Sequence, residues 1–473
     1  MGAASRRWGG NTTSRYNPDL SSWNTGQDWF FQNLRVRSHH DFLRENKERG
    51  LSSAFTVPIL GWVAKDSTSY SFPVAIHGGQ RKVDPYKKDA GDGVGLDGKP
   101  LTPGPPQSTS VQAPPELVAK WISDLRAARE EVAYYILDNE PALWDSTHRD
   151  VHPEPVGYDE LLDRTLRYGE AVRKADPGAR IAGPAEWGWP GYMFSARDAA
   201  AGFSRKPDRL AHGDIPLVPW YLHKVREHEK ARGTRILDVL DLHMYPQAEG
   251  VFSQKNEKND PETAALRLRQ TRGLWDPDYR DESWIKDTVM LLPRMRRWVD
   301  ENAPGLGLMI GEWNFGGEQH PSGGLAAAEA LGKFAEHGVT AAYYWRVPSD
   351  GSSVYWAFRA YRNFDDKGAH FQDLLAATAH DTDGRIYASR DEEGRRLVAI
   401  LLNFSPAATY TGELVLQGCS AAGPATLRVL DYRGGPGGFA PRPPPSSALS
   451  AGRLRVEVPP YTITVLDASL GAP

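Results

Sequence analysis

The sequence predicts a TIM-like (β/α)8 barrel followed by an antiparallel β-sandwich, and three observations carry that expectation. Short apolar runs recur through the first two-thirds of the 473 residues, separated by helical or loop segments, as in a βα-repeat. The runs are continuous rather than alternating, which suits strands buried on both faces of a parallel sheet. Each run also ends in polar or aromatic residues. Strand C-termini form the working face of a barrel, whereas a Rossmann-type sheet offers one switch point.

In chain order the runs are a short one around Arg6–Gly9, then Ser53–Ala64, Ala133–Glu140, Arg180–Trp187, Ile236–Tyr245, Gly307–Asn314 and Thr340–Val347. Their ends carry Trp62, Asn139-Glu140, Glu186-Trp187, His243 to Tyr245, Glu312-Trp313 and Trp345-Arg346. Asp159–Ala175 reads as a helix with Leu162, Leu166 and Gly169 on one stripe, stopping at Asp176-Pro177-Gly178. Lys286–Asn302 and Gly324–His337 read similarly, with Pro293 kinking or shortening the first. Seven strands are found where a closed barrel needs eight. The missing one is expected before Met1, in a truncated or mis-started chain, or in an unrecognised segment.

From about Asp365 the pattern changes. Arg385–Ala388, Arg396–Asn403, Gly412–Leu416, Thr426–Tyr432, Arg453–Val458 and Thr462–Leu466 are short, alternating and joined by turn residues, the signature of a sandwich. Gly434–Ser447 reads as a long, mobile Pro/Gly-rich loop within it. The expected domains are therefore 1–364 and 365–473.

Composition narrows the function. A net charge of −4 gives no reason to expect a nucleic-acid partner, and no apolar run approaches the roughly 20 residues of a membrane span. The single cysteine, Cys419, excludes an internal disulfide or a thiolate metal cluster. Met1 to Arg7 lacks the apolar stretch of a signal peptide. Fifteen Trp and nineteen Tyr fit a cleft where flat rings stack on pyranose faces, or simply a core rich in large residues.

Two carboxylates stand out. Glu140, in Asp138-Asn139-Glu140-Pro141, sits where a buried strand gives way to a loop, and Pro141 biases it towards an extended backbone. A rigid strand-end carboxyl beside an amide suits a general acid/base; many such tetrapeptides are only turns. Glu312, between an apolar strand and Trp313, is placed for partial desolvation, or else caps a strand at the surface. Together they occupy the fourth and seventh strands if one strand precedes Met1. From there they can converge across the barrel mouth at the roughly 5–5.5 Å that a retaining glycosidase needs. Glu186, beside Trp187-Gly188-Trp189, reads as a substrate contact. His243 reads as a group orienting Glu312 or a sugar hydroxyl, as a structural histidine, or as a metal ligand, although no zinc-binding spacing surrounds it. Asp89–Lys99 carries three Asp in a Gly-rich loop, either a calcium turn or a solvated one.

These residues resemble glycoside hydrolase family 44, whose members are endo-β-1,4-glucanases and xyloglucanases. The resemblance runs through Arg7-Trp-Gly-Gly-Asn11, Tyr16-Asn17, Asn24 with Asp28-Trp29, and Gly61 to Asp66. It continues through Leu137 to Pro141, Leu143-Trp144, Thr147-His148 and Val151 to Pro153. Gly183-Pro184, Leu240 to His243 with Tyr245-Pro246, Gly311 to Asn314 and Tyr344 to Arg346 complete it. It implies a retaining mechanism in a barrel joined to a sandwich, with Glu140 as acid/base and Glu312 as nucleophile. Trp345 falls where the sugar stacks at the cleavage site, and Asn139 falls on the contact to its 2-hydroxyl. With the strand-end readings, the expected substrate contacts are Asn11, Trp62, Asn139, Trp144, Glu186, Trp187, His243, Tyr245, Trp313 and Trp345. No cofactor is implied for catalysis; secretion, a β-glucan substrate and, as in some members, structural calcium are, and a monomer is expected. A mannanase or xylanase on the same scaffold, or a non-catalytic glucan-binding protein, are the alternatives.

Overall fold

Apolar strands bearing a side chain on each face need cover on both sides, and here they wrap into a nearly closed parallel barrel. The computed structural model describes residues 2–253, 257–415, 426–444 and 453–469. Its barrel strands are β1 (Ser5–Trp8), β2 (Ser52–Val57), β3 (Tyr134–Leu137), β4 (Ile181–Glu186), β5 (Val239–Met244), β6 (Gly307–Trp313) and β7 (Val339–Tyr344), paired in that order. β1 and β7 flank a seam crossed by a hydrogen bond between Ser5 Oγ and Tyr343 Oη at 3.1 Å. Backbone pairing across it is absent among the described residues.

Alternate residues face in and out. Ala54, Ile136, Ala182, Val239, Met309 and Tyr343 fill the barrel interior. Phe55, Leu137, Ile181, Leu240 and Ile310 join the larger core under the helices. Those helices are α1 (His39–Glu48), α2 (Pro115–Ala127), α3 (Tyr158–Ala175), α4 (Leu217–Arg232), α5 (Pro261–Gln270), α6 (Leu291–Asn302), α7 (Pro321–Glu336) and α8 (Ser353–Tyr361). In α3 the buried stripe is Leu161, Thr165, Tyr168, Gly169 and Val172, one position off the expected Leu162 and Leu166, which are only half buried. Pro293 falls in the first turn of α6, where it shortens the helix rather than bending it.

The run Ser53–Ala64 is two elements, not one. β2 ends at Val57, and Gly61, at φ 94°, turns the chain into a side ribbon in which Trp62–Ala64 pairs antiparallel with Ser110–Gln112. Buried Arg15 ties that ribbon to the barrel, donating to Asp150 at 2.8 Å and to Ser110 Oγ at 2.6 Å.

The C-terminal strands are β8 (Leu374–His380), β9 (Gly384–Arg390), β10 (Arg396–Asn403), β11 (Tyr410–Val415), β12 (Thr426–Tyr432), β13 (Ala440–Arg442), β14 (Arg453–Val458) and β15 (Thr462–Ser469). Six form an antiparallel sheet in the order β8-β9-β10-β15-β12-β13, with β11 and β14 paired as a second layer. Only that second layer alternates as expected. β10 is buried on both faces: Leu397, Ala399 and Leu401 meet β14, while Val398, Ile400 and Leu402 meet the helix layer of the barrel. The Gly434–Ser447 segment was expected to be all loop, yet Ala440–Arg442 pairs with β12. Leu416, Cys419 and residues 445–447 lie outside the described residues. At the joint, the buried Glu329 of α7 accepts from Arg385 Nε at 3.0 Å and from Tyr387 Oη at 2.6 Å.

Candidate active site

Local backbone geometry brings the two carboxylates together. Beyond β3 the chain takes two left-handed residues, Asp138 at φ 65° and Glu140 at φ 48°. Glu140 is therefore not extended, as its place before proline suggested. Such residues each cost on the order of 1–3 kcal/mol and need surrounding structure to hold them. Buried Asp138 supplies it, accepting from the backbone N–H of Ile59 at 2.6 Å, Leu60 at 2.9 Å and Asn139 at 2.9 Å. Glu140 N–H donates to Ala185 O at 3.0 Å, and Trp144 Nε1 donates to Asn139 O at 3.2 Å.

On β6 a bulge does the equivalent work. Met309 faces the interior and Ile310 the helices, so strict alternation would turn Glu312 outward. The register against β5 shifts between Ile310 and Glu312, setting Glu312 beside His243 and returning Trp313 to the outer core. Gly311 permits this: a Cβ there would lie 2.5 Å from Asp241 Oδ1.

The carboxyls then meet: Glu140, His243 and Glu312 each offer a ligand atom, all within 4.8 Å of one another. His243 Nδ1 is 2.9 Å from Glu140 Oε1 and 3.6 Å from Glu312 Oε2. Arg7, inward on β1, donates to Glu312 Oε1 at 2.6 Å, to Gly311 O at 3.0 Å and to Asn139 Oδ1 at 2.8 Å. Tyr245 Oη donates to Glu312 Oε2 at 2.8 Å. Both Glu312 oxygens are thus met by donors, one of them cationic.

Burial sets the protonation states. It pushes the Glu140 carboxyl up to about 7, with Arg7 opposing and Asp28 adding to the rise. Burial likewise lifts Asp241 to about 7 and Glu186 well above the usual carboxyl range. It pushes His243 down to about 3, so its imidazole is neutral. His243 Nε2 has no partner among the described residues. A buried bare lone pair is tolerated better than a buried orphan N–H, which places the imidazole proton on Nδ1, donating to Glu140 Oε1.

The sequence-derived contacts divide. Asn11 and Asn139 stand together, Asn139 Nδ2 donating to Asn11 Oδ1 at 3.0 Å. Tyr245 stacks on Phe252, with ring centroids 5.0 Å apart. Trp345 lies over Gly10, where a Cβ would come within 2.8 Å of the indole, and keeps part of its surface exposed, as does Trp187. Trp144 and Trp313 are 0% exposed, so neither offers a face to a sugar. Trp313 instead packs edge-on to Phe334 and Tyr344. His243 and Glu186 are also buried, and Trp62 sits on the side ribbon rather than at a barrel strand end. Arg7 was not read as a site residue; its signal was a cation inside a short barrel strand. Among the described residues, the possible metal-ligand group is Glu140, His243 and Glu312, where Arg7 already supplies positive charge. The carboxylates of Asp89, Asp92 and Asp97 accept from Tyr70, Arg81 and the Lys99 N–H respectively, rather than converging on a calcium site.

Comparison with known proteins agrees with this architecture. The model of glycoside hydrolase family 44 matches residues 22–248. The crystal structure of CelM2, a bifunctional glucanase-xylanase from a metagenome library, superposes with a TM-score of 0.91 at 33% identity, covering 98% of this chain and 92% of that one. A family 44 xyloglucanase from Paenibacillus polymyxa superposes with a TM-score of 0.81 at 27% identity, covering 98% and 93%. Endoglucanase A of Paenibacillus lautus is 31% identical over 435 residues, 85% of this chain. The chain spans 59% of the length of that curated relative. A parallel barrel with facing carboxyls at its mouth is an architecture of glycoside hydrolases. The chain belongs to glycoside hydrolase family 44.

Proposed function

We propose that this chain is a retaining, endo-acting hydrolase of internal β-1,4-glucosidic bonds in cellulose-type glucans or xyloglucan, with Glu140 as acid/base and Glu312 as nucleophile. The observation that carries the reading is that one oxygen of Glu140 and one of Glu312 lie within 4.8 Å of each other. Retaining pairs stand roughly 5–5.5 Å apart, whereas inverting pairs leave about 6.5–9.5 Å for a water. The relatives named glucanase, xyloglucanase and endoglucanase support the substrate class.

In this reading Glu312, held by Arg7 and Tyr245, attacks the anomeric carbon. The Nδ1–H of His243 occupies Glu140 Oε1, which leaves the Glu140 proton on Oε2 for the departing glycosidic oxygen. Glu140, then ionised, takes a proton from the water that hydrolyses the glycosyl ester and regains its starting state. Acid, nucleophile and counter-charge are all side chains of this chain, so the proposed reaction needs no cofactor. Its polymeric substrate places the proposed action outside the cell, by a single protomer. No helix among the described residues is long and apolar enough to cross a membrane. Xylan is a second proposed substrate, because CelM2 is described as both glucanase and xylanase.

The test is reducing-sugar release from carboxymethyl cellulose, xyloglucan, glucomannan and xylan, with product stereochemistry followed by proton NMR. Glu312→Gln is expected to abolish release while keeping glucan affinity. Glu140→Gln should lower polymer turnover by about 10²–10⁴-fold yet spare part of the activity on aryl glycosides with good leaving groups. First-formed products of inverted, α configuration would overturn the retaining assignment.

A further inference from the structure

Beyond the acid/base and nucleophile lies a row of side chains that ends on a carboxylate with no assigned role. Arg7 donates from one nitrogen to Glu312 and from another to Asn139 Oδ1 at 2.8 Å. Asn139 Nδ2 donates to Asn11 Oδ1 at 3.0 Å, and Asn11 Nδ2 donates to Asp28 Oδ1 and Oδ2 at 3.3 and 3.4 Å. A guanidinium only donates and a carboxylate only accepts. One orientation of both amides therefore satisfies every contact, and Asn139 turns its oxygen to Arg7 and its nitrogen to Asn11.

Asp28 is held in place. It lies in the short turn Gly26–Trp29, closed by Phe31 N–H to Gly26 O at 2.8 Å and by Thr25 Oγ1 to Trp29 O at 2.6 Å. Gly26, at φ 53°, lies against the segment after Glu140: a Cβ there would collide with the backbone oxygen of Thr147. A side chain has no room at that contact, so the turn and the Glu140 loop are packed as one piece.

We infer that Asp28 is a positioning residue for the acid/base: it anchors Asn11 against Asn139, the neighbour of Glu140 in the chain, and puts a negative charge at the end of that row. The inference rests on the assignment of Glu140 proposed above. The other ionisable groups around Glu140 are Arg7 on β1, Glu186 on β4, His243 on β5, Glu312 on β6, Tyr245, and Tyr192 of the loop after β4. Burial favours the neutral forms of Glu186, His243, Tyr192 and Tyr245. Arg7 is bonded to Glu312 and still holds the Glu140 carboxyl down. Asp28 is the anion that opposes it. Burial pushes its own carboxyl up and the Asn11 amide pulls it down.

The experiment compares kcat/KM against pH for wild type, Asp28→Asn and Asp28→Ala on an aryl cellooligosaccharide, at low and high salt. Asparagine retains an acceptor for Asn11 and removes only the charge. Loss of a nearby anion makes Glu140 release its proton earlier, so the alkaline limb should move down by about half to one pH unit. High salt should move the wild-type limb the same way and leave the Asp28→Asn limb where it is. Asp28→Ala should show the same shift plus a several-fold fall in kcat, from the loosened amide row. A raised KM with an unmoved limb would make Asp28 a plain sugar contact and overturn the inference. Glu140→Gln is the control: if it keeps the alkaline limb, the assignment of Glu140 fails, and Asp28 is not at fault.

Discussion

Arg7 binds the Glu312 carboxylate, a neighbouring backbone carbonyl and the Asn139 amide at once, so the nucleophile's orientation is shared across three strands. Glu140 differs: its proton affinity is set chiefly by burial. A sign follows for wild type. A general acid must enter the reaction protonated, and the Glu140 carboxyl is lifted to about 7. The alkaline limb of activity should therefore fall as pH rises through about 7. A kcat/KM profile on polymer checks this, and an alkaline limb near the ordinary carboxyl range would refute it. In Glu140→Gln, tested on aryl glycosides, that limb should vanish.

The elements that present these residues were mostly legible. Seven apolar runs become seven barrel strands because runs buried on both faces leave a periodicity-free stretch that sequence reading detects well. What stayed hidden is set by single residues within a run. Gly61 ends the barrel course of Ser53–Ala64, and a bulge at Gly311 turns Glu312 inward; neither alters the hydrophobic pattern. β8 escaped notice because its Leu374–His380 segment is a largely exposed edge strand. The carboxylates were legible as strand-end acids, but Arg7 and Asp28 were not, since their roles depend on partners 305 and 17 residues away. Trp144 shows the converse error: an expected sugar platform is a fully buried strut beneath Asn139. Trp144→Ala should thus cost about 3–5 kcal/mol of stability, measured by urea denaturation. Trp144→Phe should restore most of it, and a surface-like loss below 0.5 kcal/mol would contradict the burial.

At the scale of the whole molecule the barrel and the C-terminal sheet share one apolar core, and Glu329 is buried between them. Arg385→Ala would strand that carboxylate with only the Tyr387 hydroxyl, and breaking a buried pair costs about 3–5 kcal/mol. Calorimetry should show one transition in wild type, moved down as a unit in Arg385→Ala; two separated transitions would mean the regions melt independently. The seam at the other side of the barrel has a different consequence. A ring held across a slit by one hydroxyl pair, Ser5 to Tyr343, bears no tension around its circumference. Its inside is filled by side chains such as Ile136, Met309 and Tyr343, and the helices cover it from outside. Under load such a ring yields first at its lips, so amide hydrogens on the facing edges of β1 and β7 should exchange with solvent well before those of β3 to β5.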